Sequence, residues 1–303
     1  MRIAYSSKKH KGVADRSVSS AFEKVSQESL RRAVSALSRP RNFQAESVNN
    51  ERCAKWIADE LESFGYRTHL QGRYRNVVAL PRTPDMETSN AVLVGAHYDS
   101  VPGTPGADDN ASGVAALLEC ARVLASVKSP APIAFVAFNG EEDGLIGSTD
   151  FVQNYLPSSS LRIAAVHVLE MLGYCSHEPG SQRIPRGLPI RVPSVGDFIG
   201  VLGNRNSNRL VDSIMQRAAT YLSELPAIGL KVHLGIEKYL PVLARSDHDP
   251  FWRAGHCAVM WTDTAEFRNP HYHRNTDTPD TLDYDFLRSV TQLLLACLLV
   301  GDE

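Results

Sequence analysis

Three apolar runs in this chain each end on a residue that can bind a metal or move a proton. Ala91 to Ala96 leads into His97, Ile133 to Phe138 into Asn139-Gly140-Glu141-Glu142, and Ile163 to Leu169 into Glu170. Continuous apolar runs of this length mark strands covered on both faces, the usual state of parallel strands. In open α/β sheets, ligands bind outside the carboxyl ends of the strands. The repeated pattern therefore predicts an α/β fold with three layers, α/β/α, around a central mixed, mostly parallel sheet. It also predicts one site at the strand ends.

The flanking segments fit that frame. Between the first two runs lies the polar loop Gly95 to Gly113, followed by a helical pattern that ends near Ala125. Ser47 to Phe64 places Cys53, Trp56, Ile57, Glu60, Leu61 and Phe64 at helical spacing, and Gly65 ends it. Tyr66 to Leu70 and Tyr74 to Leu80 read as a hairpin closed by Pro81 and Pro84. Helices are expected over Leu145 to Tyr155, Arg209 to Leu222 and Tyr284 to Val300. Further strands are expected over Val195 to Gly203, Gly229 to Leu234 and Ala258 to Thr262. Gly173 to Ser194 has prolines at 179, 185, 189 and 193 and little periodicity. A loop this long inside a domain is usually functional, and it reads as a rim over the site.

Charge separates the ends of the chain. Of 32 Lys/Arg and 34 Asp/Glu, residues 1–41 hold ten basic and three acidic side chains, so the rest carries a net −9. Residues 1–41 read as a basic, partly helical, solvated arm, and 42–303 as a single catalytic domain. The overall charge of −2 argues against nucleic acid as a partner. No apolar run reaches the length of a signal core or a membrane span. The five cysteines (53, 120, 175, 257 and 297) form no CxxC pair and suit a reducing compartment. These features point to a cytoplasmic protein without a membrane partner; the oligomeric state stays open.

His, Asp and Glu suit zinc through imidazole nitrogen and carboxylate oxygen. There is no HExxH, which excludes the helix-borne single-zinc protease site. The dispersed set His97, Asp109, Glu141, Glu142, Glu170 and His273 can hold two metals a few Å apart if one carboxylate bridges them. Taken singly, each has an ordinary reading: a strand-end His is often structural, Glu141-Glu142 a solvated loop, and Asp108-Asp109-Asn110 a helix cap.

At these positions the chain resembles the double-zinc aminopeptidases. The motifs are His97-Tyr-Asp99, Gly106-Ala-Asp-Asp109-Asn-Ala-Ser-Gly113, Gly140-Glu-Glu142, Leu169-Glu170-Met171 and Tyr272-His273, in order and spacing. The likeness runs from about residue 42 to the C-terminus. It implies that His97 and Glu170 bind one Zn²⁺, Glu142 and His273 a second, and Asp109 both, with Glu141 as general base. Many relatives carry Asp where this chain has Glu170, which bears on ligand reach. Three carboxylates against two Zn²⁺ leave a net +1, so a water shared by the metals should ionise near pH 7. Tyr272 is expected to help stabilise the acyl oxygen, and Arg245 to help hold the substrate's N-terminal end. Asp99 is expected to orient His97, Asp277 to do the same for His273, and Asp247 to support the site from behind.

Other fragments carry less. Ser246-Asp247-His248 has a triad's residue types, but neighbours in sequence do not make a relay. Asn110-Ala-Ser112 matches a glycosylation sequon inside the metal loop and is rejected. His167 reads as a core residue and His271 as a rim residue. The expected activity is removal of N-terminal residues from peptides with a free N-terminus, by a metal-bridged hydroxide. The alternatives are glutaminyl cyclisation, a carboxypeptidase or dipeptidase, and a non-catalytic binding domain of the same fold.

Overall fold

Alternate residues of the central strands point into two different cores. In β5 (Ile133–Phe138), Ile133, Phe135 and Ala137 join one apolar cluster, while Ala134, Val136 and Phe138 join the other. β4 (Asn90–His97) divides the same way, with Val94 and Ala96 on one face and Ala91 and Leu93 on the other. A strand covered on both faces has no polar alternation, which is why these runs read as continuous. Each fully buried aliphatic or Phe side chain is worth about 1.5–3 kcal/mol against exposure.

The computed structural model describes residues 1–6, 12–82, 90–127, 129–185, 187 and 190–301. Pro84 and Pro189 lie outside the described residues. The other strands are β1 (Arg2–Tyr5), β2 (Arg67–Gln71), β3 (Asn76–Leu80), β6 (Arg162–Glu170), β7 (Ile199–Gly203), β8 (Ala227–Lys231) and β9 (Ala258–Thr262). They form one sheet in the order β1-β8-β7-β9-β6-β4-β5-β3-β2. Its centre, β9-β6-β4-β5, is parallel, and β7 is parallel to β8. The remaining neighbours are antiparallel, so the sheet is mixed around a parallel centre.

One face is covered by α2 (Gln27–Leu37), α3 (Ser47–Ser63), α4 (Gly113–Leu124), α7 (Asn208–Tyr221) and α9 (Tyr284–Val300), with α1 (Arg16–Phe22) against α9. The other face takes α5 (Ile146–Asp150), a π-helical turn (Phe151–Tyr155), α6 (Leu156–Ser158) and α8 (His248–Arg253). The helix expected over Leu145 to Tyr155 is thus a composite run that continues to Ser158. β8 lies earlier than the Gly229 to Leu234 expected, because Leu234 has φ +63° and is 87 % exposed, past the end of the ladder.

The described residues among 1–41 are not a solvated arm. β1 pairs antiparallel with β8 at the sheet edge. α2 buries Leu30, Ala33, Val34 and Leu37, an i, i+3, i+4, i+7 stripe, against α4 and α9. The basic composition hid that stripe. Its charges sit on the outer face, as Arg32 does in its ion pair with Glu60 of α3, 2.6 Å away. No helix among the described residues is long and apolar enough to cross a membrane.

Candidate metal centre

His97 is the last residue of β4, and its central place in the sheet leaves the side chain 1 % exposed. Two residues on, Asp99 is fully buried, with one oxygen 3.4 Å from His97 Nδ1. The same carboxylate accepts the backbone N–H groups of Glu141 and Glu142, at 3.2 Å each. Asp99 therefore ties the end of β4 to the turn that leaves β5. That turn needs Gly140 at φ +70°, where a Cβ would meet Ile146.

The loop after His97 is fixed from three sides. Arg41, fully buried, donates to the carbonyls of Tyr98, Pro105 and Gly106 at 2.6, 2.5 and 2.9 Å. Asp277 accepts the N–H groups of Asp108 and Asp109 at 2.9 and 3.1 Å. Asn110 donates to Leu169 O (2.8 Å) and accepts from Met171 N (3.0 Å), joining the loop to the end of β6. Its complete burial agrees with rejecting the sequon. The Asp109–Asn110 peptide is cis.

These supports aim Asp109 between two imidazoles. Its Oδ1 is 3.4 Å from His97 Nε2 and its Oδ2 is 3.2 Å from His273 Nε2. Glu170, at the end of β6, lies 3.5 Å from His97 Nε2, and Glu142 lies 3.5 Å from His273 Nε2. His97, Glu141 and Glu170 offer ligand atoms within 4.8 Å of one another, and so do Asp109, Glu142 and His273. Ser246 Oγ donates to Glu170 at 2.6 Å.

The five candidate ligands and Glu141, the expected base, thus converge, while the supporting residues divide. Asp99 stands beside His97 as expected. Asp277 does not serve His273; it holds the backbone of the Asp109 loop. Asp247 is fully buried beside the site, with neither oxygen hydrogen-bonded, and burial pushes its carboxyl up to about 7. Tyr272 stacks on His273, centroids 3.7 Å apart, and its hydroxyl accepts from Arg245 at 2.8 Å. Arg245 also pairs with Glu266. His167 and His271 stand outside the cluster; Trp261 donates to His167 Nδ1 and His271 approaches Thr276.

Two residues escaped the sequence. Arg41 acts across 57 to 65 residues, and no local spacing announces such a contact. Ser246 belongs to a fragment whose triad residue types carry no relay, and its hydroxyl proves to bind Glu170.

The donor set fits metal ions. Neither ring nitrogen of His97 and not Glu142 Oε1 makes a hydrogen bond, although all are buried. Buried polar atoms without partners are rare, and ligation by a cation satisfies them. Charge says the same. Burial, together with neighbouring carboxylates, raises Glu141 and Glu142 well above the usual carboxylate range. Burial opposes a proton on His97, yet Glu170, Glu141, Asp109 and Asp99 outweigh it and draw the imidazole well above its ordinary value. So many buried carboxylates call for positive charge between them.

Beside Glu170, Tyr272 and Arg245 opens a cavity of about 170 Å³. Its walls include Phe198, Leu202, Leu230, Val242, Met260 and Phe267, and Ile3 of β1. The rim expected over Gly173 to Ser194 contributes Gln182, Arg183, Pro185, Ile190 and Val192.

The model of peptidase family M28 matches residues 76–298. The uncharacterized protein YfbL of Escherichia coli is 34 % identical over 273 residues, covering 84 % of this chain and 81 % of its own length. The solved structure of BSAP, a zinc aminopeptidase from Bacillus subtilis, is 29 % identical with a TM-score of 0.56, over 73 % of this chain and 48 % of that one. The LapA aminopeptidase of Legionella pneumophila shares the fold, with a TM-score of 0.76 at 20 % identity over 98 % of this chain and 77 % of that one.

Proposed function

Because the chain belongs to peptidase family M28, we propose that it is a zinc-dependent hydrolase that removes N-terminal residues from peptides. The observation that carries this reading is Asp109, which presents one oxygen to each of two imidazoles. In it, His97 and Glu170 would hold one zinc ion and Glu142 and His273 a second, with Asp109 available to both. When bound, the ions polarise the scissile carbonyl and lower the pKa of water.

The chain's own groups do the rest. Glu141 is a ligand's neighbour in sequence with a raised proton affinity, which suits a group that accepts a proton from water and returns it to the leaving amine. Burial and the nearby Asp109 keep the Tyr272 phenol protonated. Because Arg245 donates to the Tyr272 oxygen, the phenolic hydrogen stays free to donate to an acyl oxygen that turns negative. Glu170 and Glu141 supply negative charge for a free ammonium group at the mouth of the apolar cavity. The first residue's side chain enters that cavity, so large apolar residues are the preferred ones. None of the five cysteines, all among the described residues, is in a disulfide, which suits a cytoplasmic setting.

The test uses a leucine anilide, its N-acetyl derivative and a peptide with N-terminal glutamine. Release of aniline from the free amine, and none from the acetylated form, is the expected result. Equal turnover of both would overturn the N-terminal restriction, and cyclised glutamine without anilide release would make the protein a cyclase.

A further inference from the structure

A second group of metal-ligand side chains lies outside the centre described above. Cys175, His177 and Asp283 offer ligand atoms within 4.8 Å of one another. Cys175 Sγ is 4.0 Å from His177 Nε2, near the separation of two ligands on one zinc ion. The other ring nitrogen, Nδ1, lies 3.8 Å from Asp197 Oδ2. A ligating imidazole whose second nitrogen faces a carboxylate is the usual form of a zinc-bound histidine. Asp283 Oδ1 accepts the N–H groups of Asp285 and Phe286 at the start of α9, which fixes the carboxylate's place.

The backbone around the three residues is already pinned. Asp283 N donates to Gly173 O at 2.8 Å, Tyr174 N to Asp263 Oδ2 at 3.0 Å, and Ser176 N to Gly196 O at 2.9 Å. The ligand-bearing segments thus meet without a metal to gather them. His177 is 79 % exposed, which leaves an open way in.

We propose that Cys175, His177 and Asp283 form an auxiliary site for a divalent transition metal of the zinc type, with water completing its shell. Thiolate, imidazole and carboxylate together select such ions over magnesium or calcium. Binding releases the Cys175 proton to solvent. The thiolate is the ligand, so the metal displaces that proton. The site lies five residues beyond Glu170 and ten beyond His273, and a metal there staples the segment leaving β6 to the start of α9. The inference does not depend on the peptidase reading.

Sulfur makes the site testable while zinc fills the main centre, whose ligands include no cysteine. The zinc-loaded protein, kept reduced with a phosphine, is titrated with Co²⁺ and followed in the near ultraviolet for sulfur-to-cobalt charge transfer. The expected band is absent in C175S, strongly weakened in H177A and unchanged in C257S. D197N should lower the cobalt affinity by about 10–100-fold, as loss of a partner behind a ligand does. No band, or an equal band in C175S, overturns the proposal. Should C175S fail to fold, the native chain decides. Added Zn²⁺ should slow alkylation of Cys175 and leave Cys257 unaffected, and an unchanged Cys175 rate overturns the site.

Discussion

His97 and His273 face opposite oxygens of Asp109, yet one side chain is 1 % exposed and the other 38 %. His97 belongs to a central strand, and Glu170 ends the strand beside it. Asp99 and Ser246 brace this half from beneath. His273 sits on an irregular segment at φ +56°, stacked on Tyr272, and Glu142 reaches it from the turn after β5. One half of the centre is therefore part of the sheet, while the other is loop laid over it. A strand end surrounded by core cannot move without breaking the ladder, so geometry is preorganised on that side. The open side is where substrate can enter and where ligand geometry can adjust.

That contrast ranks the expected effects of change. Glu141 stands beside His97 and Glu170 and is the general base of the proposed reaction. E141Q should lower kcat by at least about 10²-fold while leaving metal content unchanged. A variant that stayed active would put proton transfer elsewhere, and one that lost metal would make Glu141 a ligand. The two histidines should then behave unequally. H273A should cost about one metal per chain and leave the fold intact, since the His273 side chain is 38 % exposed on a loop outside the sheet. H97A should lose metal and also stability, because Asp99, Glu170 and Glu141 are left buried without a counter-charge. Equal losses, measured by metal analysis and thermal unfolding, would erase the distinction between the halves.

The same division governs what the sequence disclosed. Strand-borne ligands were legible because a two-face-buried strand is written as an unbroken apolar run, and His97, Glu141 and Glu170 follow such runs directly. The loop-borne His273 was legible through its Tyr272-His273 context and the family resemblance. Contacts across long separations were not. Asp277 was assigned to the neighbouring His273, four residues away, but it holds Asp108 and Asp109, which lie 169 and 168 residues away. Arg41 was left in a presumed arm because net charge averages over a helix whose buried stripe is only four residues. The apolar cavity draws its walls from β1, β7, β8, β9 and the long loop, and no local pattern assembles those.

Arg41 turns this last point into a measurement. Its guanidinium joins the N-terminal segment to the metal loop through three carbonyls. Each buried acceptor left without a donor costs about 1–3 kcal/mol, so R41M should destabilise the chain by at least about 3 kcal/mol. Metal affinity should fall with it, whereas R41K should restore part of both by keeping one donor. Unchanged metal affinity in R41M would show that Asp277 and Asn110 suffice to hold the loop.

The smallest expected effect lies beneath the buried half and appears only in acid. His248 follows Asp247 at the start of α8, is fully buried, and has Nε2 2.9 Å from Leu243 O. Burial pushes its imidazole down to about 4 from an ordinary 6.5. The unfolded chain then binds a proton that the folded chain refuses, so this residue's contribution is intact above pH 6.5. It declines as pH falls toward 4 and changes no further below that. The integrated loss is about 3 kcal/mol at most. H248Q keeps a donor for the Leu243 carbonyl but cannot titrate. Its unfolding free energy should therefore fall less steeply between pH 6.5 and 4 than that of the native chain. Identical slopes would mean that the buried half opens to water before His248 is protonated, and the rigid side of the centre would be less rigid than the sheet implies.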